Sequence, residues 1–183
     1  LGELIAQDRF VFVETDTLEF KPVPSDGNEW HRIHESACAF LNTRGGIILL
    51  GIKEEGTGSQ RRYRFTGWQP NAEPRVRDVS KQFRDESGNA LNLDDAFPPP
   101  LLLEFMDGRV AAVLVDELRA DVKYAFYRNV AYKRVLTGDQ PFTDAEIERQ
   151  REYRSAAIQA RELEPVPGIQ LKDFDLGKLN EYI

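Results

Sequence analysis

Apolar and polar positions alternate along Thr17–Val23, TLEFKPV, with Leu18 and Phe20 on one face and Glu19 and Lys21 on the other. A period of two predicts a strand, and Pro22 and Pro24 end it. From Ser25 to Asn42 the period changes. Trp30, Ile33, Ala37 and Leu41, with Phe40 beside them, recur at the spacing of one helix face. Asp26 can cap that helix, and Glu29 stands three residues on, where a capping box places it. Gly46–Ile52, GIILLGI, is too short for a buried helix and rich in β-branched residues, which predicts a central strand buried on both faces. After a turn at EEGTGSQ, RRYRFTGW alternates like a returning strand. Val76, Val79 and Phe83 then fall at helical spacing, and FPPP breaks the chain. Two apolar runs in LLLEFMDGRVAAVLVDEL flank Asp107-Gly108, the residue pair a type I′ hairpin favours. KYAFYRNVAYKRV predicts one more strand or ribbon, and Thr143 with Glu146 forms a capping box for a helix through QREYRSAAIQARELE.

In order, these elements predict an α+β fold, a mixed and largely antiparallel sheet with flanking helices. Residues 1–162 are expected to form one domain, and residues 163–183 a linker or the start of a following segment of a longer protein.

Composition narrows the class. No run approaches the roughly 20 apolar residues of a membrane span, and Leu1–Phe12 lacks the basic start and apolar middle of a signal peptide. The single cysteine, Cys38, has no partner within the chain for a disulfide. A cytoplasmic location is the expectation. A net charge of −7 argues against a protein coated in nucleic acid, but the charge is unevenly spread. Arg61, Arg62 and Arg64 surround Tyr63, and Arg128, Lys133 and Arg134 mix with Tyr127 and Tyr132, while acids gather elsewhere.

Four constellations carry candidate chemistry. The Gly45-Gly46 pair lacks the Gly-Lys-Ser/Thr of a phosphate loop, and its order of helix, glycines, strand turns the wrong helix end toward an anion. A helix C-cap with a close backbone crossing accounts for it. Glu14 and Glu19 flank the first strand, and Glu54 and Glu55 end the glycine-bounded one. If those strand ends are neighbours, Glu14, Glu19 and Glu54 can converge on Mg²⁺ or Mn²⁺. Otherwise Glu19 pairs with a basic neighbour and the others are solvated. His31 and His34 lie one helical turn apart without further ligands nearby, which fits a polar helix face better than a metal, and Cys38 continues that face into the core. In the arginine–tyrosine stretches, guanidinium groups can neutralise phosphates while tyrosines stack on bases. Solvent-facing arginines on a hairpin are the plainer alternative. No serine or cysteine stands in a nucleophile elbow.

ETDTLEFK (Glu14–Lys21), ACAFLNTRGGIILLGIKEEG (Ala37–Gly56) and YRNVAYKRVLTGDQPFTDAEIERQ (Tyr127–Gln150) together resemble the Schlafen AlbA-type, or divergent AlbA, domain family. That family shows a carboxylate-bearing E…EFK strand, an A-F-x-N-t-x-G-G-x-l-x-x-G-I core and a late Y-x-R-x-G-s strand leading into a helix. The resemblance implies a domain that binds DNA or RNA in bacterial transcriptional regulators, here through Arg61, Arg62, Arg64, Arg128, Lys133 and Arg134. Self-association is expected, with no membrane partner and no cofactor. Animal Schlafen proteins imply an alternative, a metal-dependent endoribonuclease with Glu14, Glu19 and Glu54 as catalytic ligands of Mg²⁺ or Mn²⁺. Lys53 stands where the third carboxylate of that pattern belongs, so Glu54 would have to serve from the next position. A protein-interaction or assembly domain is the third reading.

Overall fold

The computed structural model describes residues 1–119, 122–136, 138–149 and 152. The predicted linker at 163–183, and most of the predicted last helix, lie outside the described residues. A short helix, α1 (Gly2–Ala6), precedes β1 (Leu18–Lys21), α2 (Gly27–Leu41) and β2 (Gly46–Leu50). There follow β3 (Ile52–Glu55), β4 (Arg62–Phe65), α3 (Glu73–Arg77), β5 (Leu101–Phe105), β6 (Gly108–Val115), β7 (Tyr132–Val135) and β8 (Gly138–Pro141). A final helix, α4, begins at residue 144 behind the expected box, where Thr143 N–H donates to Glu146 Oε2 at 2.9 Å. The fold is α+β, as predicted.

The main sheet runs β1-β2-β6-β5, parallel between β1 and β2 and antiparallel elsewhere. One face packs on α2, joining Ile48, Leu50, Ala111, Val113 and Val115 to Ile33, Ala37, Phe40 and Leu41. Each large apolar side chain buried there contributes about 1.5–3 kcal/mol. The opposite face carries a smaller cluster, Phe20, Ile52, Tyr63 and Val110, closed over by the N-terminal residues Leu1, Ile5, Phe10 and Val13.

α2 begins as its sequence specifies. Asp26 accepts from the N–H groups of Asn28 and Glu29 at 2.8 and 2.9 Å, and Glu29 reaches back to Ser25 N–H at 2.7 Å. At its other end Gly45 turns left-handed, φ +71°, and donates to Phe40 O. Asn42 is buried beyond the last turn. Its amide donates to Ala125 O and Tyr132 O at 2.9 and 3.0 Å and its oxygen accepts from Ala125 N–H at 2.8 Å, so one side chain does the work of a neighbouring strand.

Two expectations shift. β2 is central, between β1 and β6, but Ile47 is 37% exposed, and the apolar run splits at Gly51 (φ +109°). Beyond that kink β3 leaves the sheet and pairs with β4 as a separate two-stranded ribbon. The β5–β6 hairpin turns on Met106-Asp107 rather than Asp107-Gly108, because Met106 itself adopts φ +53°.

A Cβ on Gly46 would lie 2.6 Å from the buried Phe40 ring, which has nowhere to move. Gly46→Ala is therefore expected to cost about 1–3 kcal/mol in chemical denaturation. Gly27→Ala, at an α2 position with nothing within 4 Å, should be neutral or stabilise by up to about 1 kcal/mol.

Candidate functional site

Because successive β1 side chains point to opposite faces, Leu18 and Phe20 join the smaller cluster while Glu19 points under α2. Glu19 is 4% exposed. Its two oxygens take the Lys21 ammonium and the Arg134 guanidinium. Arg134 in turn donates to Asp139 Oδ1 at 2.9 Å and Thr15 O at 3.2 Å, and Ser36 Oγ donates to Asp139 Oδ2. The chain Lys21–Glu19–Arg134–Asp139–Ser36 thus ties β1, β7, β8 and α2 together. Arg134 lies over Phe40, 5.3 Å from the ring centre, with its side chain 1% exposed. It was expected among the nucleic-acid contacts; here its side chain is buried and its guanidinium is held by Glu19 and Asp139.

Glu14, Glu19 and Glu54 do line one cavity, of about 240 Å³, as the strand-end reasoning anticipated. Lys21, Arg32 and Lys53 line it too. Glu14 accepts from Phe20 N–H at 2.9 Å, and burial together with the neighbouring Glu19 charge raises its pKa. Arg61 grips Glu54 from Nε at 2.7 Å and from its terminal nitrogen. The residues do not fit a divalent metal: Glu19 is taken at both oxygens and Glu14 and Glu54 at one each. Among the described residues no group of three Asp, Glu, His or Cys side chains is placed to hold one.

His31 and His34 both hydrogen-bond Tyr127 Oη through Nδ1. Burial, then the His31 and Arg128 charges, holds His34 down at a pKa of about 4. Cys38 is core, its thiol pushed up to about 12 by burial while it donates to Ala125 O.

The basic residues divide three ways. On the β3–β4 ribbon, Lys53 pairs with Arg64 and Glu55 with Arg62, so these four side chains share the outward face. Arg62 and Arg64 are 52% and 67% exposed and Lys53 is 50% exposed. All three share one carboxylate, Glu55, at 3.4–3.7 Å. Exposed pairs that loose are worth little, so the cations stay available to another anion. Arg61 sits at the ribbon's start against the N-terminal arm, 4.8 and 5.3 Å from the Phe10 and Phe12 ring centres. Arg128 is exposed on a tight turn with Asn129 (φ +51° and +64°), where it lies over the Tyr127 ring, away from the ribbon. Lys133 is paired with Glu146 and packs over Phe142.

The tyrosines expected to stack on bases face inward. Tyr63 and Tyr127 are 3% and 5% exposed, and Tyr63 Oη accepts from Val13 N–H. Phe12, 41% exposed, is the exposed ring beside Arg61. Sequence reasoning passed over it because F-V-F-V in Phe10–Val13 shows no polar face to separate inside from outside.

The family model for Schlafen, AlbA_2 matches residues 14–143. The chain belongs to the Schlafen AlbA_2 family. No curated protein matches it. Among solved structures, it is similar to the DIP2311 protein from Corynebacterium diphtheriae, at 18% identity and a TM-score of 0.52. That match covers 74% of this chain and 27% of the other, so the chain spans about a quarter of that protein's length. A second match is the N-terminal domain of an ATP-dependent DNA helicase RecG-related protein from Nitrosomonas europaea. It shows 21% identity and a TM-score of 0.48, over 78% of this chain and 92% of that one.

In this AlbA_2 domain the signature residues Asn42, Gly45 and Gly46 are accounted for by packing. In the late motif, where Asn129-Val130-Ala131-Tyr132 replaces the usual glycine-containing turn, Arg128 and Asn129 take the left-handed conformation.

Two tests follow from the buried charges. Arg134→Met strands Glu19 and is expected to cost about 3–5 kcal/mol in denaturant unfolding, part of which Glu19→Gln should restore in the double variant. In a pH series, the unfolded chain protonates His34 below its ordinary 6.5 while the folded chain resists to about 4. His34 therefore contributes stability above pH 6.5 that is lost as pH falls toward 4, and His34→Asn should flatten that part of the Tm profile. Glu14 has the opposite sign. Its raised pKa makes it unfavourable at neutral pH, so Glu14→Gln should raise Tm at pH 7, with the gain fading on acidification.

Proposed function

We propose that this AlbA_2 domain binds the phosphate backbone of DNA or RNA with the outer face of the β3–β4 ribbon. It would serve as the regulatory domain of a bacterial transcriptional regulator, in the cytoplasm and without a cofactor. The observation that carries the reading is the shared face of Lys53, Arg62 and Arg64, three exposed cations held only by long ion pairs, all three to Glu55 and Arg62 also to Asp8. Family membership supports it. Phe12, exposed beside Arg61, offers a ring on which an unpaired base can stack. Arg128 lies on a separate turn and is a secondary phosphate contact at most.

The endoribonuclease reading draws on one observation, the convergence of Glu14, Glu19 and Glu54 on one cavity. The cations already seated on Glu19 and Glu54 favour binding over metal-assisted cleavage. With transfer RNA and Mn²⁺, wild type and Glu14→Gln should give the same background.

Fluorescence anisotropy with a labelled single-stranded oligonucleotide tests the binding surface. Affinity should fall steeply with salt, and Arg62→Ala with Arg64→Ala should reduce the slope of log K against log salt by about 1.4, two phosphates at about 0.7 each. Phe12→Ala should weaken binding by about 1–3 kcal/mol and leave the slope unchanged. No binding at low salt, or an unaltered slope in the double variant, would refute this surface.

A further inference from the structure

β5 is an edge strand, and among the described residues nothing covers its row of leucines: Leu101, Leu102 and Leu103 are 52%, 43% and 46% exposed. Natural edges are blunted by lysine, proline or a bulge within the strand. Here Pro98–Pro100 guard only its start. On the sheet face that carries Leu101 and Leu103, the half-exposed Ile47 and Leu114 extend the apolar surface inward from the edge.

The backbone determines which groups the edge offers. The two-residue loop closes on Phe105–Gly108, so the pairs 105–108, 103–110 and 101–112 exchange hydrogen bonds with β6. The intervening residues point their N–H and C=O groups away from the hairpin. Arg109, opposite Glu104, confirms this parity, since its carbonyl accepts from Trp68 N–H at 2.7 Å on the far side of β6. The outward groups of β5 are therefore those of Leu102 and Glu104, and among the described residues they have no partner.

We propose that β5 pairs with β5 of a second copy of this chain, antiparallel about a twofold axis at Leu103, to make a continuous eight-stranded sheet. The strand is self-complementary in this register alone. With the axis at Leu103, the outward groups of Leu102 meet those of Glu104 on the partner, and Leu101 faces Phe105 of the second copy while Leu103 faces its own equivalent. An axis at Leu102 would set Glu104 against Pro100, which has no N–H to give. An axis at Glu104 would place two carboxylates directly opposite each other. An axis between residues would match outward groups with groups already bonded to β6. Proline on one side and the carboxylate on the other thus select one pairing and exclude slippage. The proposal rests on this edge and stands apart from the nucleic-acid reading.

Multi-angle light scattering of the full 183-residue chain should give twice the 20.9 kDa monomer mass at micromolar concentration. Leu103→Lys puts like charges across the axis and should return a folded monomer, with its circular dichroism and Tm retained. Leu103→Cys should cross-link on mild oxidation, because a non-hydrogen-bonded pair brings the two Cα atoms to about 4.5 Å. Leu101→Cys should not, since its equivalents lie four residues out of register, about 14 Å apart at about 3.4 Å per residue. Three results would overturn the proposal: a wild-type monomer at all concentrations, equal cross-linking by both cysteines, or a Leu103→Lys dimer. A monomer whose Leu102 and Glu104 amides are protected from hydrogen exchange would show that the chain covers this edge itself, which also sinks it.

Discussion

Taking Glu19 out of water carries a penalty of several kcal/mol, and that penalty shapes much of this molecule. β1 is covered on both sides, by α2 on one and by the N-terminal cluster on the other, so its polar residue has no solvent to face. Arg134 arrives from a ribbon 115 residues later to hold it, and Asp139 holds Arg134. Among the described residues the arrangement leaves Arg134 Nε without a hydrogen-bond partner, a buried polar atom given up to place the other nitrogens.

What was legible in the sequence was local. The cap of α2, its apolar stripe and the left-handed stop at Gly45 are settled within a few residues of each other, and all appear as read. The β5–β6 hairpin was recognisable, though its turn moved by one residue because Met106 accepted the left-handed conformation that Gly108 was expected to supply. Glu19 was harder. Alternation told which residues share its side of β1, but not that this side is buried, because that depends on a helix and an arginine distant in sequence. The same limit governed the basic residues. Arg62 and Arg134 look alike in their stretches, yet one is half exposed and the other nearly sealed. The carboxylate trio shows both halves of the lesson: the strand ends did bring Glu14, Glu19 and Glu54 to one cavity, while the cations occupying them came from elsewhere in the fold.

Charge is used in two regimes. Inside, a few ion pairs are held with tight geometry where the surroundings are poorly polarisable, and each is costly to break. On the ribbon, several cations share one carboxylate at looser distances in solvent, where the pairing is cheap to exchange. The first regime specifies how parts assemble, and the second leaves a face responsive to salt and to anionic ligands. The net negative charge of the chain is compatible with both, because the sum says nothing about where the positive face lies.

The kink at Gly51 has a wider consequence. Because β3 and β4 leave the main sheet there, the outward side chains of the ribbon contribute almost nothing to the core beneath. Lineages of this fold can therefore add, remove or reverse charge on that face without destabilising the scaffold. The charge carried by that face and the stability of the scaffold are thereby decoupled.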